Sequence, residues 1–348
     1  MPRSNVVSHP FAFVLLLVSG AAFAAAQQTH TDAPVTTPQT FALADTKDLA
    51  ETGGVRAEAV EYMGRKAVRL TTPGGDAAGF TLLKGTNFRD GIIEVDIAAK
   101  ITTPPGVRMP GFTGIAFRSR PDGSQYELFY LRPGNARADD QAMRNHTVQY
   151  TSEPAFGWEK LRRNWPFIYE SYADITVDEW TKIKIEVHGR RAVLYLNGSE
   201  NPSLIVDGLK GQDLQGAVAL WSYSGEEAYF SNLKITPAKA EAIENGGDVA
   251  GMWNVTCATD AGRLTGTLKL VRQDNTIVGL WSGGMGADQQ VSGVWRDGYV
   301  EFSFGGTWRD QPGTVTATFD GWVDGDSTKG RMKVGGRAMG RWTAERKK

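Results

Sequence analysis

Residues 111–133 read GFTGIAFRSRPDGSQYELFYLRP, two short alternating runs on either side of Asp122-Gly123. An Asp-Gly pair suits a two-residue type I′ turn, whose central positions both need positive φ. With the turn placed there, Arg120 faces Gln125 and Arg118 lies opposite Glu127. The period of two then puts Ile115, Phe117, Leu128 and Tyr130 on one face, and Gly114, Ala116, Arg118, Glu127, Phe129 and Leu131 on the other. A guanidinium and a carboxylate beside two small residues suit the floor of a polar ligand site. They equally suit a cross-strand ion pair on a solvated face, worth about 0.2–1 kcal/mol.

Working outward, nearly every periodic segment before Pro237 is a strand. Residues 66–71, 91–99, 112–120, 126–132, 146–150, 181–187, 192–196, 216–221 and 229–235 alternate or are β-branched. Turn clusters such as Thr72-Pro73-Gly74-Gly75 and Asn197-Gly198 separate them, and no amphipathic helix stands out. About a dozen short strands in one stretch predict a two-sheet sandwich. After a patternless segment at 237–249 the rhythm changes. Gly-x-Trp recurs at Trp253, Trp281, Trp295, Trp308 and Trp342 between short strands. Glycines relieve crowding at bends and tryptophans fill a narrow interior, which predicts a closed up-and-down barrel. Its last strand (337–344) pairs with its first (252–258), leaving no open edge.

The fold class is therefore all-β, a jelly-roll β-sandwich followed by a smaller antiparallel barrel. The expected division is 1–26 signal peptide, 27–39 flexible leader, 40–237 sandwich, 238–249 linker and 250–346 barrel. Arg3, the apolar run 11–22 and Ala22-Phe23-Ala24 form an export signal cleaved near Ala24 to Ala26, so the expected location is secreted or periplasmic. The apolar run is shorter than the roughly 20 residues of a membrane span. The single cysteine, Cys257, excludes an internal disulfide and reads as a buried structural thiol. A formal net charge of −1 gives no footprint for nucleic acid or for an anionic membrane.

The pieces GFTGIAFRSRPDGSQYELFYLRP, WTKIKIEVHGRRAVLYLNG and GAVALWSYSGEEAYFSNLKITP together resemble the concanavalin A-like lectin/glucanase superfamily. Within it, the chain is similar to the secreted 3-keto-disaccharide hydrolase-like, LamG-like branch over about residues 41–237. The family's Gly-rich strand ending in Arg and its following Glu fall on Arg118 and Glu127. Two departures stand out. The usual Phe-Asn-Gly-Lys-Asp-Leu opening has only a loose echo at 41–49. The Glu-x-Asp-x-x-Glu signature of the β-glucanase branch fails at Ala99, which argues against a paired-carboxylate glucanase. The C-terminal block resembles a lipocalin-like barrel.

The segment after the hairpin is crowded with groups that recognise sugars, whose apolar ring faces stack on aromatics and whose hydroxyls meet forked donors. Tyr130, Arg132, Gln149, Tyr150, Trp158 and Trp165 are the candidate binding residues. The same aromatics also suit a core-covering role. His146 is the one histidine of the expected mature chain placed for chemistry, since His30 lies in the leader and His188 in a turn. Asp139-Asp140 offers two oxygen ligands for calcium without a recognisable remainder, so no cofactor or metal is assigned.

Three functions stay open. The first is a secreted carbohydrate-recognition protein binding a glycan or glycoside on the sandwich face. The second, implied by the resemblance, is a 3-keto-glycoside-cleaving enzyme in which Glu127 or His146 is the base and Arg118 stabilises an enolate. The third is a laminin G-like protein-binding module.

Overall fold

The computed structural model describes residues 34, 36–50, 54–74, 77–104, 106–107, 109–243, 246–259, 262–309, 311–336 and 338–348. The expected export signal, most of the expected leader and His30 lie outside them. In chain order the sandwich strands are β1 (Gln39–Phe41), β2 (Arg56–Tyr62), β3 (Arg65–Thr71), β4 (Ala78–Leu82), β5 (Gly91–Ile101), β6 (Thr113–Ser119), β7 (Tyr126–Leu131), β8 (Val148–Glu153), β9 (Glu170–Ser171), β10 (Thr181–His188), β11 (Arg191–Leu196), β12 (Leu204–Asp207), β13 (Ala217–Tyr223) and β14 (Glu226–Pro237). Three short helices interrupt the run from β7 to β9: α1 (Pro133–Ala136), α2 (Gln141–Arg144) and α3 (Trp158–Asn164).

One sheet has the order β12-β11-β10-β5-β14-β3-β2, with β1 also on β14, and the other β4-β13-β6-β7-β8-β9. Alternation explains the layering. In β10, Thr181, Ile183, Ile185 and Val187 are buried while Lys182 and Lys184 turn outward. Ile183 pairs with Val95 and Ile185 with Ile93 on β5, so the inward rows stack into one core. Each such side chain stabilises by about 1.5–3 kcal/mol against the chain entropy lost. Asn197 and Gly198 both take positive φ, 51° and 75°, as the Asn-Gly tip requires.

The second block is a closed barrel of β15 (Gly251–Thr259), β16 (Gly262–Gln273), β17 (Thr276–Gly283), β18 (Gly286–Arg296), β19 (Tyr299–Trp308), β20 (Gln311–Asp324), β21 (Ser327–Val334) and β22 (Ala338–Arg346). β22 closes it against β15, with Cys257 paired to Trp342. The interior is filled by rings. Trp281 stacks on Phe304 and Phe302 on Phe319, each pair at 4.8 Å, with Trp342 edge-on to Phe302. Gly266 leaves the room Trp281 occupies, since a Cβ there would sit 2.5 Å from the indole. A cavity of about 10 Å³ among Trp253, Leu268, Phe302 and Trp342 has room for about one water, far below a ligand calyx.

The hairpin at 111–133 departs from simple alternation. Arg120 does face Gln125 (N–O 2.9 Å), but Gly123 N donates to Arg120 O and only Gly123, not Asp122, has positive φ. The tip is a four-residue loop, not a type I′ turn. Arg118 takes φ 51° and forms a bulge, at which the β13–β6 register also shifts. One extra residue moves the register, so Phe117, not Arg118, pairs with Glu127. The faces are re-sorted accordingly. Ile115, Phe117, Phe129 and Leu131 point into the core, whereas Ala116, Leu128 and Tyr130 share the outward face.

Sandwich and barrel pack into one compact unit. Lys210 Nζ meets Asp320 Oδ2 at 2.5 Å, and Tyr299 donates to the same oxygen. Trp322 donates to Leu209 O, and the Arg190 guanidinium lies 3.5 Å over its ring. The segment after Pro237 is also held, because Asp90 accepts from Glu241 N and Arg89 donates to Glu241 O.

Candidate functional site

Arg118 and Glu127 do not open onto a hollow. Both are 1% exposed. Arg118 donates to Asp90, Arg89 O and Gly189 O, and Glu127 accepts from Tyr150 OH (2.6 Å) and Gly211 N (2.8 Å). Lys210 N donates in turn to Tyr150 OH, so this chain of bonds runs into the sandwich–barrel junction. Burial raises the Glu127 pKa and lowers that of Arg118, each opposed by neighbouring charge. Trp165 and Tyr150 belong to the buried core cluster that the sandwich shares with Tyr299 and Trp322 of the barrel. For these four residues the expectation of a ligand-facing position is corrected. The bulge turns Arg118 inward, and strand parity puts Glu127 and Tyr150 beneath the sheet.

The outward face of the six-stranded sheet carries the other named residues, Tyr130, Arg132 and Gln149, themselves only 1–5% exposed. Trp221 pairs with Gly114, and Gly114 with Tyr130. A Cβ on Gly114 would lie 2.6 Å from Tyr130 Cβ, so the glycine lets the Tyr130 and Trp221 rings meet above it at 5.2 Å. Phe112 and Tyr223 extend this floor at 5.1 Å, and Phe80 packs beneath the hairpin tip against Gly123. The small residues at 114 and 116 thus make room for rings.

Along the β8–β9 side the face becomes polar. Tyr130 is opposite Gln149, and Gln149 opposite Glu170. Gln149 Nε2 donates to two backbone carbonyls, which leaves Oε1 buried with no partner. Thr151 Oγ1 and Trp221 Nε1 also lack well-formed hydrogen bonds, although Glu153 adjoins the first and Tyr126 the second. Buried orphans of this kind call for an explanation, and a polar ligand is one.

Glu170 gathers the rest. Arg162 grips it through Nε (3.0 Å) and Nη2 (2.7 Å), and His146 Nδ1 lies 2.9 Å from Oε2, off the line of a good hydrogen bond. The Arg162 guanidinium covers the Trp158 ring at 4.7 Å. Arg132 Nη2 donates to Tyr130 OH at 2.6 Å, with the guanidinium 4.9 Å from that ring. Burial lowers the His146 pKa, with Arg162 and Arg132 adding to the effect and Glu170 opposing it, so the imidazole is neutral near pH 7. Burial pushes the Tyr130 phenol up to about 12.

Residues 42–236 match the 3-keto-alpha-glucoside-1,2-lyase-like domain, more than half of the chain. The chain belongs to that family. No curated protein matches it. Solved structures similar to it include the carbohydrate-binding module CBM66 from Bacillus subtilis, at 18% identity over 52% of this chain and 95% of that one, TM-score 0.36. A Bacillus subtilis protein with a galectin-like fold shares 13% identity over 58% of this chain and 96% of that one, TM-score 0.40. A native glycosidic hydrolase shares 13% identity over 60% of this chain and 100% of that one, TM-score 0.37. At such scores the likeness says nothing of function.

In this lyase-like domain the structure brings together Tyr130, Arg132, His146, Gln149 and Trp158, all named by the sequence. It adds Glu170, Trp221, Thr151 and Glu153, which sequence reasoning missed. Trp221 and Glu170 lie far along the chain from the hairpin and carry no local motif. Strand parity on β8, once Tyr150 is known to be core, would have found Thr151 and Glu153. Among the described residues no group of three His, Cys, Asp or Glu side chains is placed to hold a metal. Asp140 instead caps α2 by accepting from Ala142 N. Among the described residues no helix is long and apolar enough to cross a membrane.

Proposed function

We propose that this is an exported protein that binds a 3-keto-glycoside on the outward face of the six-stranded sheet and cleaves it by elimination. The carrying observation is the His146–Glu170 pair, flanked by Arg132 and Arg162 at the rim of an aromatic floor. Family membership supports the chemistry, and the sequence signal at 1–26 supports export.

The sugar's apolar face rests on Tyr130 and Trp221, while Gln149 Oε1 accepts from a hydroxyl. A ketone at C3 acidifies the C2 proton. His146 Nε2, left free because Nδ1 faces Glu170, takes that proton and the electron pair forms an enolate. Arg132 or Arg162 stabilises the enolate oxygen. Collapse of the enolate restores the C3 ketone, forms the C1–C2 double bond and breaks the bond from C1 to the aglycone oxygen. The aglycone oxygen takes up the proton that His146 removed from C2 and leaves as the alcohol, which returns the imidazole to its neutral form, and no redox partner is needed.

The test is aglycone release from a 3-keto-glucoside and from its parent glucoside by wild type and by His146→Gln. Release from the keto substrate alone, lost in the variant, is the expected result. Turnover that survives the variant refutes His146 as base. Saturable binding of both sugars without turnover, lost on Trp221→Ala, would replace the enzyme by a lectin on the same face.

A further inference from the structure

We propose that the barrel forms a working wall of the glycoside site, with Lys333 as a positioning residue for α3. This rests on the outward face being the site. Helix α3 is seven residues long, and its N-cap Gly157 supplies no side-chain bond. Two turns of helix do not hold themselves in water. Leu161 and Trp165 anchor one side of the segment in the sandwich core. Arg162 ties the helix to Glu170 of β9, and further anchors come from the barrel. Lys333 Nζ on β21 donates to Asn164 O at the helix C-terminus and lies 5.2 Å from the Trp165 ring. A lysine there satisfies a carbonyl that the helix leaves open and complements its dipole. Tyr299 on β19 meets Phe156 edge-on at 5.1 Å, and Arg331 lies 5.9 Å from the Tyr169 ring.

The same short segment presents Trp158 and Arg162, four residues apart and so on one side of the helix. Arg162 neutralises Glu170, and Glu170 faces His146. Three charged groups bear on that imidazole: Glu170 from β9, Arg162 from α3 and Arg132 from the end of β7. Releasing the C-terminus of α3 lets Arg162 leave Glu170. The carboxylate then acts on His146 uncompensated.

The test uses the full chain with Lys333→Met and Lys333→Arg, following the imidazole C2 proton of His146 by NMR across pH. The chain has only four histidines, so comparison with His146→Gln assigns the signal. The expected result is a His146 titration midpoint moved upward in the methionine variant and restored in the arginine variant. Turnover of a 3-keto-glucoside should fall by up to about a hundredfold, in kcat more than in KM. An unmoved midpoint together with a lowered melting temperature overturns the proposal, because Lys333 would then only hold the barrel in place. Should neither form turn over the keto sugar, the proposed chemistry fails while the midpoint still decides the positioning role. Lys333→Gln is read the same way if the methionine variant does not fold.

Discussion

Replacing Asp320 by alanine should be among the most destabilising single changes in this chain. Lys210 and Asp320 are 3% and 1% exposed, and the ammonium is surrounded by the rings of Phe156, Tyr169 and Tyr299. Removing the carboxylate strands that charge and costs Tyr299 its acceptor. Breaking a buried pair costs about 3–5 kcal/mol, a large part of the roughly 5–15 kcal/mol that holds a domain together. With a urea slope of about 3 kcal/mol/M, the unfolding midpoint should fall by more than about 1 M. Tryptophan fluorescence reports it well, since Trp342 Nε1 donates to Asp320 O and Trp322 lies two residues on. The double change Lys210→Met, Asp320→Leu should recover most of the loss, because an apolar pair leaves no stranded charge. A single-variant loss below about 1 kcal/mol, or a double variant as weak as the single, would refute the reasoning. The pH dependence has a definite sign. Burial opposes the Lys210 charge, but Asp320 outweighs it and holds the pKa above the ordinary 10.5. The pair's contribution is therefore complete below 10.5 and is lost as pH rises through the higher folded-state value, a slope the double variant should lack.

Glu127→Gln should lower stability by about 1–3 kcal/mol through its bonds to Tyr150 and Gly211, yet leave the proposed 3-keto-glycoside turnover per folded molecule nearly intact. A large activity loss at unchanged melting temperature would restore Glu127 as a chemical group. Gly123→Ala should cost about 1–3 kcal/mol by thermal melting, because its φ is +69° and the added carbon would sit 2.0 Å from Phe80 Cζ. A neutral outcome would mean that the hairpin tip does not pack on Phe80. Cys257 is fully buried and its thiol is pushed up to about 12, so a maleimide should label it at pH 8 only after denaturation. Labelling of the native protein would show that the barrel wall opens there.

The architecture was legible because it rests on local periodicity. Alternation in β5 and β10 defines the core rows, Asn197-Gly198 its hairpin tip, and the repeated Gly-x-Trp marks a barrel narrow enough to be filled by rings. Half of the candidate site was legible for a similar reason, since Tyr130, Arg132, His146, Gln149 and Trp158 cluster within about one segment. What failed turned on a single residue. An arginine in a left-handed conformation carries no sequence signal, yet the bulge at Arg118 shifts the register and, with it, the face of every neighbour. The junction was equally hidden, because Lys210 meets Asp320 across 110 positions and no pattern links them. The choice of Glu127 as a base failed for both reasons together.

The seam that closes the barrel has a practical corollary. Trp253 pairs with Arg346, so the chain enters and leaves the cylinder through one corner, where the Arg346 guanidinium donates to Ala250 O and Asp248 O. Any polypeptide spliced on after Lys348 must therefore start out alongside the connector from the sandwich. A fluorescent or affinity fusion at that point needs a spacer long enough to clear the corner, or it will pry at the latch that keeps the cylinder shut.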